Sequence, residues 1–411
     1  MAGIVAGTIQ VPLHHPALLD MSSRYSLPDD TQSQITLAYF YRPSSSDKQA
    51  PPLLVLNGGP GVSSHHMMAK MLTDKRLSNV PLVFMDQRGT GCSTPYPILD
   101  KASIAHALHW GSSSIVHDAE LLRKSLFPNQ KWRLFGHSYG GLIAYRYIEL
   151  LPHVLSDVTI FGYSPTHDPI DWLYRQTRFI TEQSHAYLAK YPDDKKVLTQ
   201  MRTVIETDTC LQMSQYEICG DAILDALGHH LAFYDYWPNV HYLLNELAQA
   251  WETPREQQAM LAIAKIAFAG FKLPGGGLVQ NAISNYEIVA GYTPKQAFEK
   301  VNKRIIRNRI DTSSWLFSPI YYMQNLTTGN REDIFVQNIS HSLSLAKITE
   351  HVSKHLDIRL NLFAGERDGI VPPALFTDIN SQIKTQRDFT VIHDAGHNDF
   401  MHNQVIQALK K

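Results

Sequence analysis

One serine of this sequence lies between two spaced glycines. In the stretch RLFGHSYGGLIAYRY, Ser138 is flanked by Gly136 and Gly140. The Gly-x-Ser-x-Gly pattern is short and recurs by chance, so its neighbours decide its meaning. KWRLF is a brief apolar run typical of a buried strand, and LIAYRYIELL has apolar residues at helical spacing. A serine on a sharp strand-to-helix turn is a candidate nucleophile, because glycines on both sides avoid the clash that Cβ atoms would cause there.

A serine hydroxyl needs a base to remove its proton, and that base needs an acid to orient it. Two later loops offer these groups. The run IRLNLF precedes AGERDGIVPP, which contains Asp368, and the run DFTVIHD precedes AGHNDF, which contains His397. Each loop follows a predicted strand, at the edge of an open α/β sheet where catalytic groups gather. We predict Asp368 as the acid and His397 as the base, in the chain order that accompanies this serine turn.

Two other carboxylates lie close enough in the sequence to orient the histidine. Glu366 lies two residues before Asp368, and Asp394 lies three residues before His397. We favour Asp368 because it lies deeper in its turn, before the apolar IVPP that starts the next helix. Asp394 would have to reach back onto its own loop. Glu366 and Asp394 are kept as alternatives.

Acyl transfer also needs donors for the oxyanion that develops on the attacked carbonyl. The run VLNGGPGVSS places a glycine-rich loop directly after an early strand, where backbone N–H groups can be presented. We predict Gly59 as one donor and Tyr139, the residue after the nucleophile, as the other. Taken in isolation, NGGPG would be a plain surface turn.

Composition narrows the class of partner. The chain has 411 residues, a formal net charge of -1 and no dense Lys/Arg run, so neither nucleic acid nor an anionic membrane is expected. The amino-terminal segment lacks the features of a signal peptide, and no stretch approaches the roughly 18 apolar residues of a membrane span. We expect a cytoplasmic protein that acts on a small peptide or acyl substrate. A homo-oligomer is left open.

The cysteines and histidines form no metal-binding pattern. Cys92, Cys210 and Cys219 are too few and too scattered for a disulfide framework or a zinc site, so we expect free thiols. None of the 20 histidines lies in a His-Glu-x-x-His arrangement. We predict that the protein requires neither a metal nor a cofactor.

The character of the chain changes twice. In residues 1–164 and 348–411, short apolar runs alternate with amphipathic helices, which predicts an α/β fold with a mostly parallel central sheet flanked by helices. Residues 165–347 have long stretches of helical periodicity and few strand signals, which predicts a large inserted helical cap domain. The predicted domains are thus a core in two parts, 1–164 and 348–411, and a cap, 165–347. GTIQVPL and QITLAYFYRP predict antiparallel edge strands.

Several stretches together resemble the α/β-hydrolase superfamily, and specifically the proline iminopeptidase group of serine aminopeptidases. NGGPG, DQRGTGCS and GHSYGG carry the likeness, followed by GERD and AGHN. The combination of GGPG with DQRGxGxS is far more specific than Gly-x-Ser-x-Gly alone. The likeness covers the two core segments, roughly half of the chain or a little more. It implies an α/β-hydrolase fold and the release of an N-terminal residue, for example proline, from short peptides.

The resemblance also implies roles for two loops. In that family a His-Gly-Gly-Pro-Gly loop forms the oxyanion hole, and an Asp-Gln-Arg-Gly loop shapes the wall of the site. Here Asn57 replaces the histidine, and Asp86, Gln87 and Arg88 form the wall loop. A local ion pair between Asp86 and Arg88 that holds the loop is favoured over direct catalysis.

A third implied feature is a helical cap that binds the free amino end of a peptide with acidic residues. Glu252 in AQAWETP and Glu287 in SNYEIVAGY are the candidates by local pattern. The leading hypothesis is therefore a serine aminopeptidase that acts through an acyl-enzyme. A carboxylesterase, thioesterase or lactonase with the same triad is the alternative. A non-enzymatic binding protein is the third hypothesis, but such a protein should have lost the serine, the acid or the base.

Overall fold

An eight-stranded, mostly parallel sheet is the frame of the structure. The computed structural model describes residues 3–18, 34–47, 50–97, 108–166, 168–205, 210–213, 216–219, 230–251, 253, 255, 277–288, 292, 294–308, 343–355, 358–383 and 387–411. The described strands are β1 (Val5–Pro12), β2 (Gln34–Arg42), β3 (Leu53–Leu56), β4 (Leu82–Met85), β5 (Trp132–His137), β6 (Leu155–Phe161), β7 (Cys210–Met213), β8 (Tyr216–Cys219), β9 (Arg359–Gly365) and β10 (Arg387–Ile392).

The order of the strands in the large sheet is β1-β2-β4-β3-β5-β6-β9-β10. The pairs from β4 to β10 along this order are parallel, whereas β1 pairs with β2 and β2 pairs with β4 in antiparallel fashion. The predicted α/β class and the predicted antiparallel edge are therefore confirmed. Because the strands from β4 onwards run in one direction, their carboxyl ends all meet at one edge of the sheet.

Helices follow most of the strands. The described α-helices are α1 (His65–Thr73), α2 (Ser112–Leu126), α3 (Tyr139–Leu150), α4 (Pro169–Lys190), α5 (Asp194–Ile205), α6 (Trp237–Ala250), α7 (Gly277–Glu287), α8 (Pro294–Arg307), α9 (Leu345–Lys354), α10 (Thr377–Gln382) and α11 (Asn403–Lys410). Across the described residues, no helix combines the length and the apolarity that a membrane crossing needs.

Both faces of the central strands are buried. Strands β3 and β4 are the continuous apolar runs LLVL and LVFM, which is typical of parallel strands covered on both sides. Successive side chains point to opposite faces, so that Leu134 of β5 packs with α2, α3 and α9, while Phe135 packs with Phe400, α1 and α11. The result is a helix–sheet–helix sandwich that holds the carboxyl edge of the sheet rigid.

The start of α3 lies against the end of β3 with no space between the two backbones. A Cβ atom at Gly140 would overlap the carbonyl group of Leu56, and a Cβ atom at Gly136 would overlap the carbonyl group of Gly140. Glycine at these two positions therefore lets the helix begin close to the sheet. This is the steric reason for which the sequence pattern requires glycine on both sides of Ser138.

The segment between β6 and β9 is largely helical in its described parts, as the sequence predicts. Helices α4 and α8 pack through an apolar cluster, and α7 contributes Val279, Ile283 and Tyr286 to the apolar cluster of the sheet itself. The segment also contains the antiparallel hairpin β7–β8, which the sequence did not predict, and whose register places Cys210 opposite Cys219. Cys92 is a free thiol.

Helix α9 crosses the predicted boundary between residues 347 and 348. Its buried side chains Leu345, Ile348 and Val352 join the apolar cluster beside α3. Both ends of α9 therefore pack against the core of the sheet. The division into core and cap domains stays a prediction.

The close approach at Gly140 generates a prediction on stability. We expect Gly140→Ala to lower the free energy of unfolding by about 3 kcal/mol, because the added methyl group must displace backbone and not a flexible side chain. The control is Gly396→Ala, at which a Cβ atom would make only ordinary contacts with Tyr234 and Asp235. Urea denaturation measures both. Equal midpoints for the two variants would contradict the packing described here.

Candidate active site

Ser138 lies at the junction of β5 and α3 in a backbone conformation that side chains rarely adopt. Its φ is 55° and its ψ is -124°. The conformation is held from both sides, because the N–H of Ser138 donates to the Phe161 carbonyl at 3.0 Å and its carbonyl accepts from the N–H of Gly141 at 2.7 Å. Such strain persists only where the surrounding structure fixes it, and it is concentrated at functional sites.

Asp368 and His397 form a buried pair on the loops that follow β9 and β10. The distance from His397 Nδ1 to Asp368 Oδ2 is 2.8 Å. The other oxygen, Oδ1, accepts from the N–H groups of Ile370 at 2.9 Å and Val371 at 2.8 Å. Since a carboxylate only accepts, Nδ1 carries the proton and Nε2 is left to act as a base. The pair is buried, with His397 3% exposed and Asp368 fully covered.

The surroundings of this pair leave room for it and exclude water. Gly162 follows β6, and a Cβ atom there would lie 3.0 Å from His397 Cε1 and 3.3 Å from Asp368 Oδ2. The ring of Phe233 meets the His397 ring edge-on, with 5.7 Å between centroids. The same segment is fixed to the acid loop, because the N–H of Gly369 donates to the Ala232 carbonyl at 3.0 Å. A dry environment strengthens the hydrogen bond between acid and base.

The two alternative carboxylates have other partners. Glu366 Oε2 accepts from the N–H of Asp394 at 3.0 Å and lies 2.8 Å from His393 Nδ1. Asp394 Oδ1 lies 3.6 Å from Arg367 Nε. The structure therefore brings Asp368, and neither alternative, to His397. The catalytic roles of Ser138, Asp368 and His397 stay predictions.

The glycine-rich loop after β3 lies against the serine. A Cβ atom at Gly58 would be 3.0 Å from Ser138 Cβ and 3.5 Å from Ser138 Oγ. Gly58 is thus a site residue that is absent from the residues predicted above; the doubled glycine is its signal in the sequence. Gly59 follows it with a φ of 125°. Within the part of the chain that the structure describes, the turn and loop hydrogen bonds include none donated by the N–H of Gly59 or of Tyr139.

Asn57, at the position where the resemblance expects histidine, spans this loop. Its side-chain amide donates to the Val62 carbonyl, and its own carbonyl accepts from Gln87 Nε2 at 3.0 Å. Asn57 therefore links the two ends of the glycine-rich loop, and the hydrogen bond from Gln87 links Asn57 to the wall loop. The Asn57 side chain is buried.

Asp86 connects the wall loop to the glycine-rich loop. Oδ1 accepts from the N–H of Ser64 at 2.9 Å and from its hydroxyl at 2.8 Å, and Oδ2 accepts from the N–H of Cys92 at 2.8 Å. The prediction that Asp86 and Arg88 form an ion pair is wrong, because Asp86 accepts from Ser64 and Cys92 and Arg88 pairs with a different carboxylate. Asp86 holds the loop through backbone N–H groups and a hydroxyl.

Arg88 is fully buried and pairs with Asp118 of α2. Its Nε and Nη2 lie 2.7 and 2.6 Å from the two Asp118 oxygens, and its remaining donors reach the carbonyls of Pro12, Leu13 and His109. Burial opposes the negative charge of Asp118, but Arg88 and the neighbouring His15 keep its pKa below the ordinary value. Arg88 thus joins the wall loop to α2 and to the chain after β1. The sequence held no local signal for the partner on α2.

Glu287, the last residue of α7, reaches the residue that follows the nucleophile. Its Oε2 accepts from the Tyr139 hydroxyl at 2.6 Å, and its Oε1 accepts from the N–H and hydroxyl of Ser112 at 2.9 and 2.8 Å. The carboxyl is 2% exposed. Burial raises the pKa of Glu287 above its ordinary value, against the opposing attraction of Arg146. Glu252, the other predicted cap carboxylate, lies outside the described residues.

Helix α7 also covers the glycine-rich loop. A Cβ atom at Gly61 would overlap the side-chain amide of Gln280, so this amide lies directly on the loop backbone. Helix α7 therefore contacts the predicted oxyanion loop at Gly61 and the start of α3 at Tyr139. Among the described residues, no group of three or more His, Cys, Asp or Glu side chains is placed to hold a metal ion.

Comparison with known proteins gives one family and a consistent set of relatives. A model of the α/β hydrolase fold family matches residues 51–197. A proline iminopeptidase of Aeromonas sobria is 30% identical over 214 residues, which are 47% of this chain and 50% of that protein. A proline iminopeptidase of Thermoplasma volcanium is 32% identical over 108 residues, which are 26% of this chain and 33% of that protein.

The aligned parts thus span half or less of the length of these relatives. Among solved structures, a proline iminopeptidase of Mycobacterium smegmatis aligns with a TM-score of 0.43 and 17% identity, over 92% of this chain and 94% of that one.

The buried pair of Arg88 and Asp118 generates a prediction on stability. We expect Asp118→Asn to lower the free energy of unfolding by about 3 to 5 kcal/mol, because it leaves the buried guanidinium without a counter-charge. The control is Glu350→Gln, which breaks the exposed pair with Lys354 and should leave the urea midpoint almost unchanged. Similar midpoints for both variants would show that the buried pair is not a structural tie.

The raised pKa of Glu287 predicts how the stability of the protein depends on pH. Since this pKa is raised in the folded state, the contribution of Glu287 to stability is fully present below its ordinary pKa of 4.5 and is lost as the pH rises through the folded pKa. Gln at this position cannot titrate. The stability of Glu287→Gln relative to the parent protein should therefore increase with pH, as measured by thermal unfolding in buffers from about pH 4 to 8. A difference that is constant, or that decreases with pH, would contradict the buried state of this carboxyl.

Proposed function

We propose that this chain, which has an α/β-hydrolase fold and is similar over part of its length to proline iminopeptidases, is a serine hydrolase that acts through an acyl-enzyme. Its proposed reaction is the release of an N-terminal residue from short peptides. The observation that carries the first part is the buried Asp368–His397 pair, at 2.8 Å, on the sheet edge where Ser138 occupies its strained turn. The names of the relatives support the second part.

In the proposed mechanism, Ser138 Oγ attacks the scissile carbonyl while His397 Nε2 accepts the hydroxyl proton. Asp368 keeps Nδ1 protonated and stabilises the imidazolium that forms. The N–H groups of Gly59 and Tyr139 donate to the oxyanion of the tetrahedral intermediate. The intermediate collapses when the C–N bond breaks and His397 gives its proton to the leaving amine. Water, deprotonated by His397, then attacks the acyl carbonyl; the bond between this carbon and Ser138 Oγ breaks, and His397 returns the proton to Ser138.

Recognition of a free amine is the proposed task of the cap carboxylates. An ammonium group needs charged acceptors in a partly buried pocket, and Glu287 is held beside Tyr139, the residue next to the nucleophile. Its Oε2 accepts one hydrogen bond in the described structure, so one lone-pair direction of this oxygen is left for a substrate N–H. Glu252 is proposed as a second acceptor on the pattern of the sequence alone.

One observation favours an esterase, thioesterase or lactonase as the second candidate. Both oxygens of Glu287 already accept hydrogen bonds from the protein, and the side chain is almost fully buried. A carboxyl enclosed in this way is poorly placed to bind a substrate ammonium group. In that case the cap would close an acyl pocket over the same Ser138, Asp368 and His397.

A substrate panel separates the two candidates. Free-amine 4-nitroanilides of proline, alanine and leucine are compared with N-acetyl-proline 4-nitroanilide and with 4-nitrophenyl esters of short acids. An aminopeptidase should hydrolyse the free-amine anilides and lose most of this activity when the amine is acetylated. Ester hydrolysis with no turnover of any free-amine anilide would overturn the peptidase proposal and favour the second candidate.

The proposed triad predicts that substitution of Ser138 or His397 lowers kcat. We expect Ser138→Ala and His397→Ala each to lower kcat by at least roughly a thousandfold while the thermal unfolding midpoint stays near that of the parent protein. The matched controls are Ser381→Ala and His393→Ala, which change exposed residues of the same type, His393 being close to His397 in the chain. Activity near the parent level in either triad variant would overturn the assignment.

A further inference from the structure

His137, the last residue of β5, connects the strand of the nucleophile to the loop of the base. Its Nε2 donates to the backbone carbonyl of His397 at 2.8 Å, across 260 positions of the chain. The mechanism proposed above does not use this side chain. Its backbone precedes Ser138 directly, so the hydrogen bond joins the two halves of the predicted site one residue away from the reacting hydroxyl.

The ring of His137 is enclosed by aromatic groups. Its centroid lies 4.8 Å from that of Phe400, 5.0 Å from that of His397 and 5.9 Å from that of Phe161. Burial, followed by the nearby His397, lowers the pKa of His137 well below its ordinary value, so the ring is neutral. A neutral imidazole has one N–H, and the carbonyl acceptor fixes it at Nε2. A neutral neighbour also does not oppose the positive charge that His397 acquires during turnover.

Among the described residues, other hydrogen bonds hold the base loop at positions on either side of His397. The N–H of Arg367 donates to the Ala395 carbonyl at 2.8 Å, and the N–H of Gly396 donates to Asp399 Oδ2 at 2.6 Å. Asp368 orients the imidazole, but its bond to Nδ1 does not fix the backbone from which the ring projects. The bond from His137 acts on the peptide unit of His397 itself.

We propose that His137 is a positioning residue, which sets the separation of the base His397 from the nucleophile Ser138 through its hydrogen bond to the His397 carbonyl. The inference rests on the proposed function and extends it. A misplacement of about 1 Å between reacting groups costs on the order of a hundredfold in rate, so one bond at this junction has a measurable effect.

Two substitutions separate the hydrogen bond from the packing. His137→Phe keeps a ring among Phe400, His397 and Phe161 but has no donor. His137→Gln loses the ring but carries an Nε2 donor at the same number of bonds from the backbone. We expect kcat of the Phe variant to fall roughly 10- to 100-fold with KM within about twofold, and kcat of the Gln variant to recover to within about fivefold of the parent protein.

A packing role would give the reverse order, with the Phe variant near the parent kcat and the Gln variant impaired, and that result overturns the inference. The assay uses whichever substrate of the panel the parent protein hydrolyses best, on variants that unfold cooperatively. A parent protein that hydrolyses none of the panel overturns the proposed function, and this inference with it. Parent-level kcat in the Phe variant of an active enzyme overturns the inference alone.

A second measurement keeps the test open if the Phe variant folds poorly. The Nδ1 proton of His397, held by Asp368, should give a far-downfield proton resonance in the parent protein and in His137→Gln. In His137→Asn, whose shorter side chain cannot reach the His397 carbonyl, the resonance should broaden by exchange. A resonance equally sharp in the Asn variant would overturn the inference.

Discussion

The site is built around the backbone turn at Ser138, which has a positive φ. A non-glycine residue at a φ of 55° costs about 1 to 3 kcal/mol and persists only if its neighbours leave no alternative. Here the neighbours are backbone atoms in contact, since Gly136 and Gly140 have no space for a Cβ atom. Burial of β5 and α3 between the helical layers stabilises this arrangement. The turn places the serine side chain against the glycine-rich loop after β3, where a Cβ atom at Gly58 would be 3.5 Å from Ser138 Oγ.

The order of the strands brings the remaining groups to that edge. Strands β6, β9 and β10 lie side by side and parallel, so the loops that carry Asp368 and His397 leave the same edge of the sheet. Both side chains lie beside Gly162, and the His397 ring contacts the ring of Phe233. On the other side of β5, the glycine-rich loop is held by a chain of polar contacts through the wall loop to α2. Helix α7 closes this side through Gln280 and Glu287. Each loop of the site is therefore fixed by contacts outside the site.

The sequence predicts the parts of this site that local pattern determines. Apolar runs predict the strands, and their order in the chain places Ser138, Asp368 and His397 at strand ends. Partners distant in the sequence have no such signal. Asp118 lies on a helix 30 residues after Arg88. The sequence therefore predicts the nearby Asp86, and not Asp118, as the partner of Arg88.

The same limit explains the other differences. Glu287 contacts Ser112 and Tyr139 because α7 packs on the sheet. The residues that surround Glu287 in the sequence predict neither contact. The contact of Gly58 with Ser138 has no signal in the sequence, because adjacent glycines are equivalent in a pattern but not in a folded loop. The role of Gly59 as an oxyanion donor stays a prediction. The described structure gives no view of Glu252.

If the fold makes Ser138 nucleophilic, an electrophile that reacts with activated serines will label this residue in the folded protein. The folded protein is treated with a fluorophosphonate, digested and sequenced by tandem mass spectrometry, beside a sample unfolded in urea before treatment. We expect one phosphonate adduct on Ser138 in the folded protein and none on this residue after unfolding. No adduct on Ser138 in the folded protein, or equal labelling in both samples, would show that the fold does not activate this serine.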